Sequence, residues 1–229
     1  MTPLLLLPGM MCDGRLFGPQ VAAFSASRAV MVAPMHGKTT NEIARHILTH
    51  APPRFALAGL SMGGIVAMEI AAQAPDRIER IALLDTNPRA ELPEVRAGRA
   101  PQIAKARAGQ LAAVMRDEMK PRYLADGPAR QDILDLCMAM ALDLGPEVFE
   151  AQSRALATRP DRQDALRGLD VPALVLHGEA DTLCPAERHD LMHALLPRSE
   201  LVRIAGAGHL PVLERPEETN AALARWLEA

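Results

Sequence analysis

Apolar residues along this chain fall in two rhythms. Short, mostly apolar runs alternate with longer stretches in which apolar positions recur every three to four residues. The runs are LLLL (4–7), RAVMVAP (28–34), RFALAGL (54–60), IERIALLD (78–85), PALVLHG (172–178) and SELVRIAG (199–206). Such runs predict strands covered on both faces, because successive side chains of a strand point to opposite sides. The helical rhythm occupies 40–51, where Ile43, Ile47 and Leu48 share a face and Thr40 or Asn41 is the expected cap. It returns from Met62 to Ala74, where Pro75 ends it, and again over 185–196 and 218–227. Residues 87–168 hold several helical patterns and no strand, the most apolar being DILDLCMAMALDL (132–144).

Strands joined by crossover helices predict an α/β fold: a mostly parallel, doubly wound sheet of about six strands, with helices on both faces. One block of helices interrupts the alternation after the fourth strand. The expected organisation is a core of 1–86 and 169–229 carrying a helical cap, 87–168, over one end of the sheet. No internal repeat or low-complexity segment is present.

Composition narrows the class. At 229 residues, with 49% hydrophobic and 23% charged, the chain suits one domain that needs no disulfide or metal to fold. The formal net charge is -3 with both signs dispersed, so neither a nucleic-acid footprint nor a polybasic membrane anchor is expected. The three cysteines, Cys12, Cys137 and Cys184, are widely spaced and form no CxxC pair, which points to a reducing cytoplasm. The opening MTPLLLLPGMMCDGR lacks a basic leader, and its apolar run is too short to span a membrane.

The chemistry is concentrated in AGLSMGGIVAME (58–69). No lysine follows these glycines, so they are not a phosphate loop, and Gly59, Gly63 and Gly64 lack the spacing of a dinucleotide fingerprint. A strand, then G-x-S-x-G, then a helix is the arrangement of a nucleophile elbow, with Ser61 at the apex. A chain that leaves a strand and enters a helix at once crowds its neighbours. Gly59 and Gly63 would remove side chains that collide there.

A serine hydroxyl needs a base, and the base needs an acid to orient it. The elbow predicts the chain order serine, acid, histidine. LHGEADTLCP places Asp181 just beyond the fifth strand, and AGAGHLPVLERPE places His209 beyond the sixth. In a parallel sheet the loops after the strands gather at one edge, so Ser61, Asp181 and His209 are expected to converge. Asp85 is the rival acid and Glu179 the outside choice. His46 and His50, like His189 and His193, are four apart on predicted helices, but no HExxH motif or carboxylate cluster accompanies them, and no metal is expected. The oxyanion donors should be backbone N–H groups: Met62 after the nucleophile, and Met10 in the loop after the first strand, with Met11 as runner-up. Cys12 and Cys184 are expected to be spectators.

Taken together, LLLLPGMM, GLSMGG, IALLDTNP, VPALVLHGEADTLCP and GAGHLPVLERPEE resemble the α/β-hydrolase superfamily over essentially the whole chain, and most of all its small bacterial carboxylesterases and enol-lactone hydrolases. The resemblance implies Ser61 as nucleophile, Asp181 as acid, His209 as base, Met10 and Met62 as oxyanion donors, and no cofactor. Two departures stand out. Pro8-Gly9 replaces the His-Gly frequent in the family, and the usual first hairpin is missing, so six strands are expected. The activity implied is hydrolysis of a small to medium ester, thioester or lactone, with a C–C bond hydrolase or lyase on the same residues as the alternative and a non-catalytic binding protein as a third reading. The segment 133–144 is expected nearest the pocket. Aromatics are only 3%, which favours an aliphatic acyl group. None of the arginines in 87–168 stands out as a clamp for an acidic substrate.

Overall fold

The computed structural model describes residues 1–229. Six strands form one sheet: β1 (Leu4–Leu7), β2 (Val30–Val32), β3 (Phe55–Leu60), β4 (Ile78–Leu84), β5 (Ala173–Gly178) and β6 (Ser199–Ile204). Their spatial order is β2-β1-β3-β4-β5-β6, and every neighbouring pair is parallel. The expected doubly wound parallel sheet is therefore the observed one.

The LLLL run shows why. Leu4 and Leu6 join one apolar cluster with Phe17, Leu60, Leu176 and Trp226. Leu5 and Leu7 join another with Ile43, Leu57, Val66 and Val175. Each β1 side chain is thus buried on one face or the other, and no polar alternation survives in this strand. Helices α2 (Thr40–His50) and α3 (Met62–Gln73) cover the second cluster, while α1 (Gly18–Phe24) and the C-terminal helix Pro216–Glu228 cover the first. The central helix α3 is buried on nearly all sides, as its largely apolar sequence requires.

Two local expectations are corrected, and one element was not anticipated. The second run is a short, half-buried strand rather than a buried one, because it forms the sheet edge beside β1. The cap of α2 is Thr39, not Thr40 or Asn41; its hydroxyl accepts the Glu42 N–H at 3.1 Å, while Glu42 accepts the Lys38 N–H at 2.8 Å. A helical segment over 14–24 was not legible in the apolar pattern.

Residues between β4 and β5 form helices and no strand. They include α4 (Pro93–Lys105) and the long helix Arg130–Ala157, which Gly145 (φ 80°) and Pro146 break in two. The two stems of this insertion are tied together at their base. The Arg162 N–H donates to Pro88 O at 2.8 Å, and its guanidinium forks onto buried Glu69 of α3 at 2.8 and 3.0 Å. No helix is long and apolar enough to cross a membrane.

Candidate active site

β3 passes directly into α3, and Ser61 alone makes the turn, at φ 55° and ψ −115°. That conformation is costly for a residue with a side chain, so the surroundings must hold it. They do so from three sides. The Ser61 N–H donates to Leu84 O at 2.9 Å, while Ser61 O accepts from Ile65 N at 3.1 Å and from the Thr86 hydroxyl at 2.7 Å. The flanking glycines are sterically required. A Cβ on Gly59 would stand 2.3 Å from Gly63 O, and one on Gly63 would stand 1.9 Å from Leu7 O.

Asp181 and His209 meet in the loops beyond β5 and β6. His209 Nδ1 lies 2.8 Å from Asp181 Oδ2, with both side chains buried. The other carboxylate oxygen accepts the N–H groups of Leu183 at 2.7 Å and Cys184 at 3.1 Å. Burial alone would raise the Asp181 carboxyl, but the His209 contact and these two amides outweigh it and hold the group below its usual range. The carboxylate is therefore ionised and fully bonded, and it fixes the ring with Nε2 left for another partner. The loops can touch because β5 ends in Gly178, where a Cβ would be 2.0 Å from Gly208 O.

Asp85, the rival acid, is placed differently. It is fully buried, its Oδ1 accepts the Gly178 N–H at 2.9 Å, and burial raises its carboxyl well above the usual range, reinforced by neighbouring Asp181. It makes no hydrogen bond to His209, whose Nδ1 is taken by Asp181.

At the candidate oxyanion site, the Met11 N–H is already engaged, donating to the buried Gln152 side chain at 2.8 Å. The Met10 N–H has no partner in the protein, and neither has the Met62 N–H at the start of α3. These two remain available to a ligand at Ser61, in a field favoured by the positive end of a twelve-residue helix.

Several positioning groups escaped sequence reasoning. Glu214 accepts from Ala125 N at 2.8 Å, Gly208 N at 2.9 Å and Leu210 N at 3.0 Å, clamping the loop on both sides of His209. The His209 N–H itself donates to Tyr123 O at 2.7 Å. The only signal in the chain was an acid five residues after a candidate base. Gln152 had no signal, since its partner is 141 positions away.

Ser61 opens onto two cavities. The first, about 260 Å³, is lined by Gly9, Met10, Leu60, Tyr123, His209 and Leu210 among others. The second, about 310 Å³, runs past Met62, Thr86 and Asn87. The insertion contributes α4, residues 118–123 and Leu156 to the first cavity. The segment 133–144 does not line it, contrary to expectation. Its Ile133, Cys137 and Met140 pack into the core with Cys12 and Tyr123, and Met140 Sδ accepts the Asp13 N–H at 3.5 Å. That segment supports the first loop from behind.

Asp181, Cys184 and His209 are the one set of three metal-capable side chains whose donor atoms lie within 4.8 Å of one another. Asp181 and His209 bond each other there, and burial, with Asp181 alongside, keeps the Cys184 thiol neutral. All three cysteines are free and buried. His46 and His50 are exposed on α2, edge-on to each other and beside His36. His189 is buried against His177, with ring centroids 4.3 Å apart, while His193 bonds the Ser199 hydroxyl at 2.7 Å.

Comparison with known proteins finds relatives in sequence and in fold. The pimeloyl-[acyl-carrier protein] methyl ester esterase of Vibrio cholerae is 30% identical over 192 residues, spanning 81% of this chain and 74% of that protein. A thermophilic esterase from Thermogutta terrifontis superposes with a TM-score of 0.89 at 29% identity, over 100% of this chain and 90% of that one. The enol-lactonase from Burkholderia xenovorans superposes with a TM-score of 0.87 at 26% identity, over 100% and 92%. A model of the alpha/beta hydrolase family matches residues 4–222. With nearly its whole length inside that model, the chain belongs to the α/β-hydrolase family and is esterase-like within it.

Proposed function

We propose that this chain is a serine hydrolase that cleaves a carboxylic ester, thioester or lactone of a small to medium substrate through an acyl-enzyme on Ser61. The observation that carries this reading is the His209 ring, fixed by Asp181 and lining the cavity that Ser61 also lines. The relatives add support: their names describe a methyl ester esterase, an esterase and an enol-lactonase.

In this mechanism His209 Nε2 takes the hydroxyl proton as Ser61 Oγ attacks the carbonyl carbon. The tetrahedral oxyanion is held by the N–H groups of Met10 and Met62, which develop their full interaction only as charge builds. Asp181 stabilises the imidazolium and keeps Nε2 directed to the reacting atoms. The imidazolium then gives its proton to the departing alkoxide or thiolate, and the acyl group stays on Oγ. A water, deprotonated by the same ring, attacks the acyl carbon. Collapse releases the carboxylic acid and returns the proton to Oγ. The steps balance as ester plus water giving acid plus alcohol, with no metal or organic cofactor. In the structure Nδ1 of the ring is bonded to Asp181 and the Ser61 hydroxyl is not bonded to Nε2, a contact that commonly tightens only with substrate in place.

The insertion 87–168 serves in this reading as the cap that shapes the substrate pocket, on the grounds that α4 and residues 118–123 line the first cavity. Three buried free thiols favour the cytoplasm. The test is turnover of p-nitrophenyl esters from acetate to decanoate. Wild type should peak at a short to medium chain, and Ser61→Ala should lose at least about a thousandfold in kcat. Undiminished turnover by Ser61→Ala would refute the mechanism. Absence of ester turnover with Ser61 still open to covalent labelling would replace it with the C–C hydrolase or lyase reading.

A further inference from the structure

The two cavities that meet at Ser61 differ in electrical character. The first is walled mainly by apolar side chains and backbone, and the charges of Arg99 and Arg122 there are accompanied by the carboxylate of Glu118. The second is lined by four guanidinium groups, Arg99, Arg122, Arg159 and Arg188, and by a single carboxylate, Glu91. Arg99 and Arg122 belong to both cavities, so the cationic wall begins beside the reacting serine.

One carboxylate cannot neutralise this wall. Glu91 is buried, with both oxygens engaged: Oε1 accepts from Arg99 Nη2 and Arg159 Nη1, each at 2.6 Å, and Oε2 accepts from Arg99 Nε. Burial, together with the repulsion from Arg99, pushes the Arg159 guanidinium below its usual value despite Glu91. Each guanidinium carries five N–H bonds. Arg159 uses one on Arg89 O and one on Glu91, and Arg188 reaches Leu183 O and Cys184 Sγ. Arg122 makes no hydrogen bond or ion pair with the protein. The donors are arranged around a void, and most of them have no acceptor.

A purely structural reading accounts for part of this. Arg159 joins Arg89 O to Glu91, and so ties the two stems of the insertion together. That reading leaves Arg122, exposed and without a protein partner, and the remaining donors of Arg188, whose Nη1 alone is bonded. Arg122 and Arg188 come from two further segments, one between β4 and β5 and one beyond β5, and line the same space. Planar guanidinium groups with free paired donors are suited to the planar, two-oxygen face of a carboxylate.

We propose that the second cavity is a carboxylate-recognition subsite, and that the substrate is a half-ester or lactone bearing a free carboxylate beyond its scissile carbonyl. The ester lies at Ser61 with its alcohol group toward the apolar first cavity, and the acyl chain runs into the second, its carboxylate among Arg122, Arg99, Arg159 and Arg188. This rests on the Ser61 reading above and deepens it by naming the substrate class.

The experiment compares monomethyl esters of straight-chain dicarboxylic acids, succinate to suberate, with neutral methyl esters of the same chain length, following methanol release. At one or more lengths the half-ester should lead in kcat/KM by about tenfold or more at low salt. The lead should shrink as potassium chloride is raised. Arg122→Gln should reduce the lead by about tenfold. Arg116→Gln removes the same charge from an exposed residue outside both cavities and should leave the ratio unchanged. Neutral esters cleaved in a Ser61-dependent way with no half-ester lead at any length would overturn the subsite and leave the serine hydrolase standing. A lead that persists undiminished in Arg122→Gln would overturn it too. If no methyl ester is cleaved, calorimetric titration of Ser61→Ala decides. Tighter binding of monomethyl adipate than of methyl hexanoate, weakened by adding Arg122→Gln, supports the subsite, and equal binding overturns it.

Discussion

Met11, Ser61 and Asp85 are the three residues other than glycine that hold a positive φ. Each follows a strand of the central sheet at the same edge, after β1, β3 and β4. Such conformations cost on the order of 1–3 kcal/mol each and persist where surrounding contacts over-determine them. The contacts here include the Gln152 oxygen on Met11 N and the bonds that hold Ser61. Glycine has a different part at the elbow. Gly63 lets the backbone of α3 lie against the end of β1, where its Cβ would be 1.9 Å from Leu7 O. Gly63→Ala is therefore expected to unfold the protein or cost several kcal/mol, about the upper range for a single substitution. Gly98 lies within α4 with nothing within 4 Å of a Cβ, so Gly98→Ala should stabilise by about 1 kcal/mol. Thermal unfolding of the two variants checks both signs. The elbow was legible because glycine–serine spacing is a local signal. Gly64 was not, since its constraint is Thr86, 2.6 Å from its Cβ and on another strand's loop.

Whole elements decide where His209 points. Its loop is clamped by Glu214, in the short helix Pro211–Glu214, and is tied to Tyr123 and Ala125 of the insertion. Glu214 touches no reacting atom; it is a positioning residue. Glu214→Ala should lower kcat by about ten- to a hundredfold through misplacement of the ring, with little change in KM. Glu214→Gln keeps a carbonyl oxygen for these amides and should recover much of the loss. Steady-state kinetics of the pair separate positioning from general damage to the fold, because a merely destabilising change would appear in both variants' melting temperatures. At this scale the sheet strands were readable, since apolar runs report burial directly. The insertion was less so. The apolar stretch 133–144 reads as a pocket wall, yet its buried face packs behind Cys12 and Tyr123. Apolar periodicity says that a face is buried without saying what buries it. The cavity is instead lined by the more polar α4, whose Arg99 carried no distinguishing signal.

The whole molecule also carries a pH liability beside the site, within the field of Asp181 and His209. His177 at the end of β5 stacks on His189 of the helix Ala186–Leu195, and both are buried. Burial pushes His189 down to about 3 and lowers His177 as well. The folded protein keeps both rings neutral, whereas the unfolded chain protonates them near pH 6.5. Below that pH the unfolded state takes up protons that the folded state refuses, so stability falls as pH falls. The slope is about 1.4 kcal/mol per pH unit for His189, until it protonates near pH 3. Depressed carboxylates such as Asp181, Glu69 and Glu91 add losses only below their unfolded values, near pH 4. Asp85 and Glu214, raised by burial, act in the opposite direction. The difference between wild type and His189→Leu isolates the histidine contribution. The variant's stability should fall less steeply between pH 6.5 and 4.5, as read by urea unfolding. The parallel sheet brings the loop of His209 against that of Asp181 and onto the cavity that Ser61 lines, 148 positions earlier in the chain, and chain order reports that kind of proximity. The cavities could not be anticipated, because their walls come from segments that share no periodicity.

The central claim is that Ser61 is a nucleophile activated by His209. Intact-mass spectrometry after treatment with a fluorophosphonate tests it most directly, because labelling needs the activated hydroxyl and no particular substrate. The account predicts a single adduct mapped to Ser61 in wild type, none in Ser61→Ala, and labelling slowed by at least about a hundredfold in His209→Ala. No adduct on wild type, or labelling that proceeds at the same rate without His209, would contradict it.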